Sequence, residues 1–226
     1  ILAQAVKRLF PNVKLAIGPA VDDGFYYDFD IDQKFTPEDL VKIEAEMKKI
    51  VKEDIKIERF VLPQQEAVEK FKADNEPYKV ELAEGIDAAQ EISFYSQGDF
   101  TDLCAGAHLM STGAVKAFKL TSATGAYWRG DSSQKMLCRV YGTAFPKASE
   151  LEAHLTMLEE AKKRDHNKLG RELELFTTVD VIGQGLPVML PKGAKIIQIL
   201  QRFVEDEEAK RGWQLTKTPL MAKREL

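Results

Sequence analysis

The sequence predicts an α+β fold, an antiparallel sheet flanked by helices, and three observations carry that reading. Phe25, Tyr27, Phe29 and Ile31 alternate with polar neighbours, the period of a half-buried strand. Leu40, Ile43, Met47, Ile50 and Val51 form an apolar stripe at helical spacing. From Glu91 to Tyr141, short apolar runs are divided by Gly, Ser, Thr and Asp, the texture of antiparallel strands joined by functional loops.

The elements follow in order. Ile1, Leu2, Ala5, Val6 and Leu9 recur at helical spacing until Pro11 stops them. No capping residue precedes Ile1, as expected of a helix whose beginning lies outside the chain. Val13, Leu15 and Ile17 alternate as a strand; Gly18-Pro19 and Asp23-Gly24 then turn the chain into the Phe25–Ile31 strand, making a long hairpin. Tyr26, Asp28, Asp30 and Asp32 fall on its other face, expected to be wet; the alternating aspartates read as solvated in preference to a metal site. Thr36-Pro37-Glu38-Asp39 opens a helix with a capping hydroxyl, an early proline and early acids. Residues Ile55 to Leu62 alternate as a strand, Pro63 opens a shorter helix bearing Ala67, Val68 and Phe71, and Pro77-Tyr78-Lys79-Val80 starts another element. Apolar runs at Ile92–Tyr95, Phe118–Leu120 and Met136–Tyr141 supply the later strands. Ser149 can cap a helix reaching about Leu169, with Leu151, Leu155, Leu158 and Ala161 inward, a basic end and Gly170 at its stop. Beyond Glu172 a second unit begins: turn-rich residues 183–191, a helix carrying Ile196, Ile197, Leu200, Phe203 and Val204, and a strand over Trp213–Pro219. The division expected is 1–147, a connector helix over 148–171, and an incomplete unit over 172–226.

Composition narrows the function classes. With 226 residues, 44% hydrophobic and 30% charged, the mix is that of a globular protein. No apolar run reaches about 18 residues, so no membrane-spanning helix is indicated. Lys7 and Arg8 follow the apolar start, the reverse of a secretory signal. Two cysteines, Cys104 and Cys138, make no disulfide framework, and a reducing, cytoplasmic setting is the simpler expectation. The net charge of −4 argues mildly against a dedicated nucleic-acid binder. The basic stretch at Lys162-Lys163-Arg164, Lys168 and Arg171, like the acidic one at Asp22–Asp32, reads first as a solvated face.

The densest chemistry lies in Gly98-Asp99-Phe100-Thr101-Asp102-Leu103-Cys104-Ala105-Gly106-Ala107-His108. Asp102 and Cys104 are two apart, so an extended chain points them the same way, and His108 can join them if the chain turns at Gly106. Gly98 and Gly106 can let backbone approach a ligand. Cys104 and His108 suit zinc, but a site needs three or four ligands, and His154 and His166 on the connector are poor candidates to complete one. A cysteine nucleophile with a histidine base is a second possibility, and a buried thiol beside an unrelated loop histidine is a third. Cys138 reads as core and Lys79 as surface. Phe25-Tyr26-Tyr27 reads as packing, and Trp128-Arg129-Gly130-Asp131 either offers a ring and a guanidinium to RNA or is a plain turn.

Several strings resemble threonyl-tRNA synthetases of the bacterial type: Ile17-Gly18-Pro19 with Asp23-Gly24-Phe25-Tyr26-Tyr27-Asp28; Asp102-Leu103-Cys104-x-Gly106-x-His108; Gly125-Ala126-Tyr127-Trp128-Arg129-Gly130-Asp131; Arg139-x-Tyr141-Gly142-Thr143-Ala144-Phe145; and Lys163-Arg164-Asp165-His166. Their order and spacing cover most of the chain. The resemblance implies that 1–147 is an editing domain, of the fold shared with alanyl-tRNA synthetases, which hydrolyses serine wrongly attached to threonine tRNA. Serine and threonine differ by one methyl, worth only about 1–3 kcal/mol of discrimination, so a second site is needed to remove the error.

The resemblance assigns catalytic roles to Asp102, His108, Lys79 and Cys104 and a substrate contact to Tyr27; Trp128 and Arg129 join as candidate substrate contacts for their ring and guanidinium. No metal is expected at the site; Cys104 and His108 are the ligands if zinc is present. A histidine pair of the family's site is expected immediately before Ile1, outside this chain. Residues 193–213 resemble the long helix of the first class II motif, with Thr218-Pro219 after it. The whole enzyme is then expected to use ATP, magnesium and zinc at sites outside this chain, to bind threonine tRNA, and to form a homodimer in the cytoplasm without a membrane. The stretch in hand is expected to be incomplete for both activities. Two other readings stay open: a free-standing zinc-dependent deacylase of the alanyl type, and an RNA-binding module without catalysis.

Overall fold

The computed structural model describes residues 1–221 except Asp23, Ala89 and Gln184. Asp23 of the Asp23-Gly24 turn and the last five residues of the 172–226 unit therefore lie outside the described residues. The chain divides into two compact units, Ile1–Leu155 and Thr156–Leu226.

The first unit is α+β with antiparallel sheets. Its elements are α1 (Leu2–Leu9), β1 (Lys14–Leu15), β2 (Ala20–Val21), β3 (Gly24–Asp30), α2 (Pro37–Glu53), β4 (Ile57–Pro63), α3 (Gln64–Ala73), α4 (Pro77–Glu84), β5 (Glu91–Gln97), β6 (Phe100–Leu103), β7 (Ala117–Tyr127) and β8 (Met136–Phe145). One sheet runs β1-β3-β8-β7, with β2 also on β3; the other runs β4-β5-β6. The hairpin expected over residues 13–31 is present: Leu15 pairs with Phe29 and Ala20 with Phe25. β7 is longer than its apolar run suggests, because it pairs with β8 from Ala117↔Phe145 to Tyr127↔Met136 across an irregularity between Leu120 and Ser122. Gly98-Asp99 is the two-residue turn between β5 and β6, and Gly98 takes φ 64° there, a conformation its lack of a side chain allows.

Helix α2 starts as the local chemistry dictates. Thr36 accepts from the Asp39 amide, Asp39 accepts from the Thr36 amide, and Pro37 takes the first turn. Its stripe, Ile43, Met47 and Ile50, is buried with Phe29, Leu120 and Val140 of the larger sheet and Leu2, Ala5 and Val6 of α1. Each such side chain contributes about 1.5–3 kcal/mol by leaving water. A second core joins Ala67 and Phe71 of α3 and Ala83 of α4 to Ile92 and Phe94 of β5. A third is small: Ala16, Trp128 and Leu137, with Ile17, Tyr78 and Leu82 against them.

The face of β3 expected to be wet is largely not. Asp28 is 1% exposed and forms a two-pronged pair with Arg139, its cross-strand neighbour on β8, at 2.7 and 2.8 Å. Asp30 accepts from the Tyr78 hydroxyl at 2.8 Å and pairs with Lys135 at 2.6 Å. Only Asp32 stays exposed. Cys138 is core, as expected.

The helix expected from Ser149 to Leu169 is two helices. α5 (Ala148–Lys163) begins one residue before Ser149 and crosses the boundary between the units. α6 (His166–Glu172) starts afresh because the Asp165 carboxylate accepts from the Lys168 amide, a strong N-cap that competes with continuation. None of the residues expected to face inward on α5 is buried. In the second unit, β9 (Phe176–Thr177) pairs with β10 (Val188–Met189), and α7 (Pro191–Lys210) follows. Gly193 lies against the Leu175 carbonyl where a side chain has no room. Among the described residues of this unit only Gly170 and Gly193 are buried. Trp213–Pro219 is not a strand: no described strand pairs with it, and Trp213 is 72% exposed.

Candidate functional site

The first unit encloses a mostly apolar cavity of about 770 Å³, and the predicted cluster lies on its wall. Asp102 sits on β6 directly opposite Tyr95 on β5. Its Oδ1 accepts from the Lys79 ammonium at 2.6 Å and from the Leu103 amide at 2.8 Å; its Oδ2 accepts from the Tyr27 hydroxyl at 2.6 Å. Three elements thus meet at one carboxylate: α4 brings Lys79, β6 brings Asp102 and β3 brings Tyr27. Lys79 is 3% exposed, so the expectation of a surface lysine is corrected; its ammonium also lies 5.4 Å from the Tyr27 ring. A buried ammonium is tolerable only because a carboxylate accepts its charge.

Tyr27 fits between the sheets because Gly18 has no side chain; a Cβ there would collide with the Tyr27 ring. Burial beside the Asp102 carboxylate holds the Tyr27 pKa well above the ordinary phenol value, so the hydroxyl keeps its proton and donates it.

Cys104 follows β6 with its main chain fixed to β5: its amide donates to the Ser93 carbonyl at 3.1 Å, and the Ser93 hydroxyl donates to the Cys104 carbonyl at 2.6 Å. The chain then loops back past Gly106, and His108 stacks on Tyr95 with ring centroids 4.0 Å apart and planes at 25°. His108 is exposed overall; partial desolvation of its ring and the charge of the Ile1 amino group push the imidazole below its ordinary value, against the pull of Asp102. At neutral pH it is uncharged and able to accept a proton. Asp102, Cys104, His108, Lys79 and Tyr27 all line the cavity.

Trp128 and Arg129 do not. Trp128 is 3% exposed in the third core, and its indole N–H donates to Glu81 at 3.0 Å, so its ring is not presented for stacking. Arg129 pairs with Glu81 at 3.1 Å. Among the described residues, no three His, Cys, Asp or Glu side chains converge as a metal-ligand set.

Four further residues shape the site without having been singled out from sequence. Tyr95 seats His108. Gln4 and Gln97, both buried, are hydrogen-bonded to each other: the Gln97 side-chain amide donates to the Gln4 Oε1 at 2.7 Å, and the Gln4 side-chain amide donates to the Gln97 main-chain carbonyl and to Asp99, both at 3.2 Å. They latch α1 to the β5–β6 hairpin. A polar residue on the apolar stripe of α1 was the available signal for Gln4. Glu76, at the start of α4, accepts from the Leu15 amide at 2.8 Å and pairs with Lys7, fixing the helix that carries Lys79.

Residues 92–141 match the threonyl and alanyl tRNA synthetase second additional domain. The chain is 63% identical over 226 residues to threonine–tRNA ligases of Clostridium perfringens strain SM101 and Clostridium botulinum strain Alaska E43, and 58% identical to that of Acetivibrio thermocellus. Each alignment covers 100% of this chain and 35% of the relative, so the chain spans about a third of the length of the curated relatives it matches. With that identity sustained along its whole length and that domain at its centre, the chain belongs to the threonyl-tRNA synthetase family.

Proposed function

We propose that the cavity is the editing site of a threonine–tRNA ligase and hydrolyses the ester of serine attached to threonine tRNA. The observation that carries this reading is the Tyr27–Asp102–Lys79 junction beside a neutral His108, on the wall of a water-accessible pocket. In the proposed reaction a water adds to the ester carbonyl, its proton passing to a base at the site or to the substrate's own groups. The carbonyl oxygen takes the negative charge, and Lys79 helps to hold the water or that oxyanion. Collapse breaks the ester bond and returns a proton to the ribose oxygen. Asp102 and His108 orient the seryl group and the terminal ribose; Cys104 positions and does not attack. The resemblance implies a metal-free site, and the proposal routes nothing through metal.

By the same resemblance, residues 172–226 begin a class II aminoacylation domain. The whole protein activates threonine with ATP, with magnesium and zinc bound outside this chain, as a cytoplasmic homodimer. No helix of the described residues is long and apolar enough to cross a membrane.

His108 gives the test. In the full-length protein, His108→Ala slows seryl-tRNA hydrolysis about a hundredfold, the scale of a lost acid–base or orienting group. Unchanged turnover in His108→Ala contradicts the assignment.

A further inference from the structure

We propose that the Trp128-Arg129 turn is a positioning device for Lys79: acting through Glu81, it fixes helix α4 and so holds the ammonium against Asp102. The proposal rests on the ester-hydrolysis reading of the site.

Helix α4 has eight residues and no side-chain cap at its N-terminus. So short a helix is not stable by itself, and its place is set by what grips it. Two faces are gripped differently. Lys79 and Ala83, four apart, look into the cavity wall and the second core. Tyr78 and Glu81 look the other way, on to Trp128, and Leu82 lies between the two faces, lining the cavity and touching the Trp128 core. The Tyr78 ring meets the indole edge to face with centroids 5.0 Å apart, and Leu82 packs against the same small core. Trp128 is buried, so its N–H needs an acceptor inside the protein, and Glu81 provides it at 3.0 Å. The second Glu81 oxygen takes Arg129 at 3.1 Å.

Arg129 is held at φ 53°, ψ 19°, a left-handed conformation that a non-glycine residue keeps only where its surroundings impose it. That conformation closes the turn with the guanidinium 5.6 Å from the indole ring and within reach of Glu81. An exposed Arg–Glu pair contributes little by itself. Here it aims the carboxylate that anchors the indole. Shifting Glu81 turns α4, and Lys79, two residues earlier, turns with it. The 2.6 Å contact to Asp102 is the distance that such a shift would lengthen.

The test uses the full-length protein and seryl-tRNA for threonine. Glu81→Leu and Trp128→Phe each lower kcat about tenfold with KM within about twofold, the signature of a misplaced reacting group. Glu81→Gln, which retains an acceptor for the indole, keeps most of the rate. In a Lys79→Ala background, Glu81→Leu lowers the rate no further. A full additional loss in that background overturns the proposal, as does a fall in kcat matched by the fraction unfolded. A readout apart from activity is the NMR signal of the Lys79 ammonium, protected in the parent protein and lost in Glu81→Leu; an unchanged signal overturns the proposal. If the parent protein does not hydrolyse seryl-tRNA, the ester reading falls, and the ammonium signal alone decides the positioning claim.

Discussion

Asp102→Ala is expected to cost the protein both activity and stability. Seryl-tRNA hydrolysis falls by about 10²–10³-fold, since the group proposed to orient substrate is gone and Lys79 loses its partner. Folding stability falls by about 3–5 kcal/mol, because the substitution leaves a charged ammonium at 3% exposure with no counter-charge. Asp102→Asn is expected to show both losses. It keeps an oxygen for the Tyr27 hydroxyl while removing the charge that Lys79 pairs with. Adding Lys79→Met to Asp102→Ala removes the stranded charge, so most of the stability returns while the activity stays low. Chemical denaturation and single-turnover deacylation on the same variants read the two effects apart. Asp102→Ala with parent stability, or with parent activity, contradicts the junction described above.

The second large effect lies away from the reacting groups. Arg139→Ala leaves Asp28 at 1% exposure without its two-pronged partner and is expected to destabilise by about 3–5 kcal/mol. Arg139 also covers the Tyr26 ring at 3.9 Å, and Tyr26 lines the cavity, so a modest activity loss accompanies the instability. Replacing both members, with Asp28→Leu and Arg139→Met, restores most of the stability, because a buried pair exchanged for apolar groups of similar volume is close to neutral. A denaturation midpoint for Arg139→Ala within error of the parent contradicts this account of the sheet.

What the sequence revealed and what it hid divide along one physical line. Features set by neighbours in the chain were legible: the Thr36–Asp39 box at the start of α2, the alternation of β3, the hairpin of residues 13–31 and the α+β class. Features set by partners far along the chain were not. Asp28 looks solvated until Arg139, 111 positions later, comes to lie opposite it. Lys79 looks like a surface lysine until α4 folds down on β6, and only the family resemblance marked it beforehand. Trp128-Arg129 reads equally as an offer to RNA or as a plain turn, and the fold turns the ring inward on to Glu81. The break between α5 and α6 was local and was missed all the same, because Asp165 as a cap competes with a helical pattern that runs through it. For the candidate site, Asp102, Cys104 and His108 were visible as a cluster from spacing alone. Their support from Tyr95, Gln4, Gln97 and Glu76 was not, since each contact joins separate elements.

The central claim is that this cavity discriminates between two esters that differ by one methyl. It is tested most directly by mixing the full-length protein with threonine tRNA carrying serine and, separately, threonine, and following release of each amino acid. The account predicts that serine is released at least about tenfold faster than threonine. Equal release of both contradicts it.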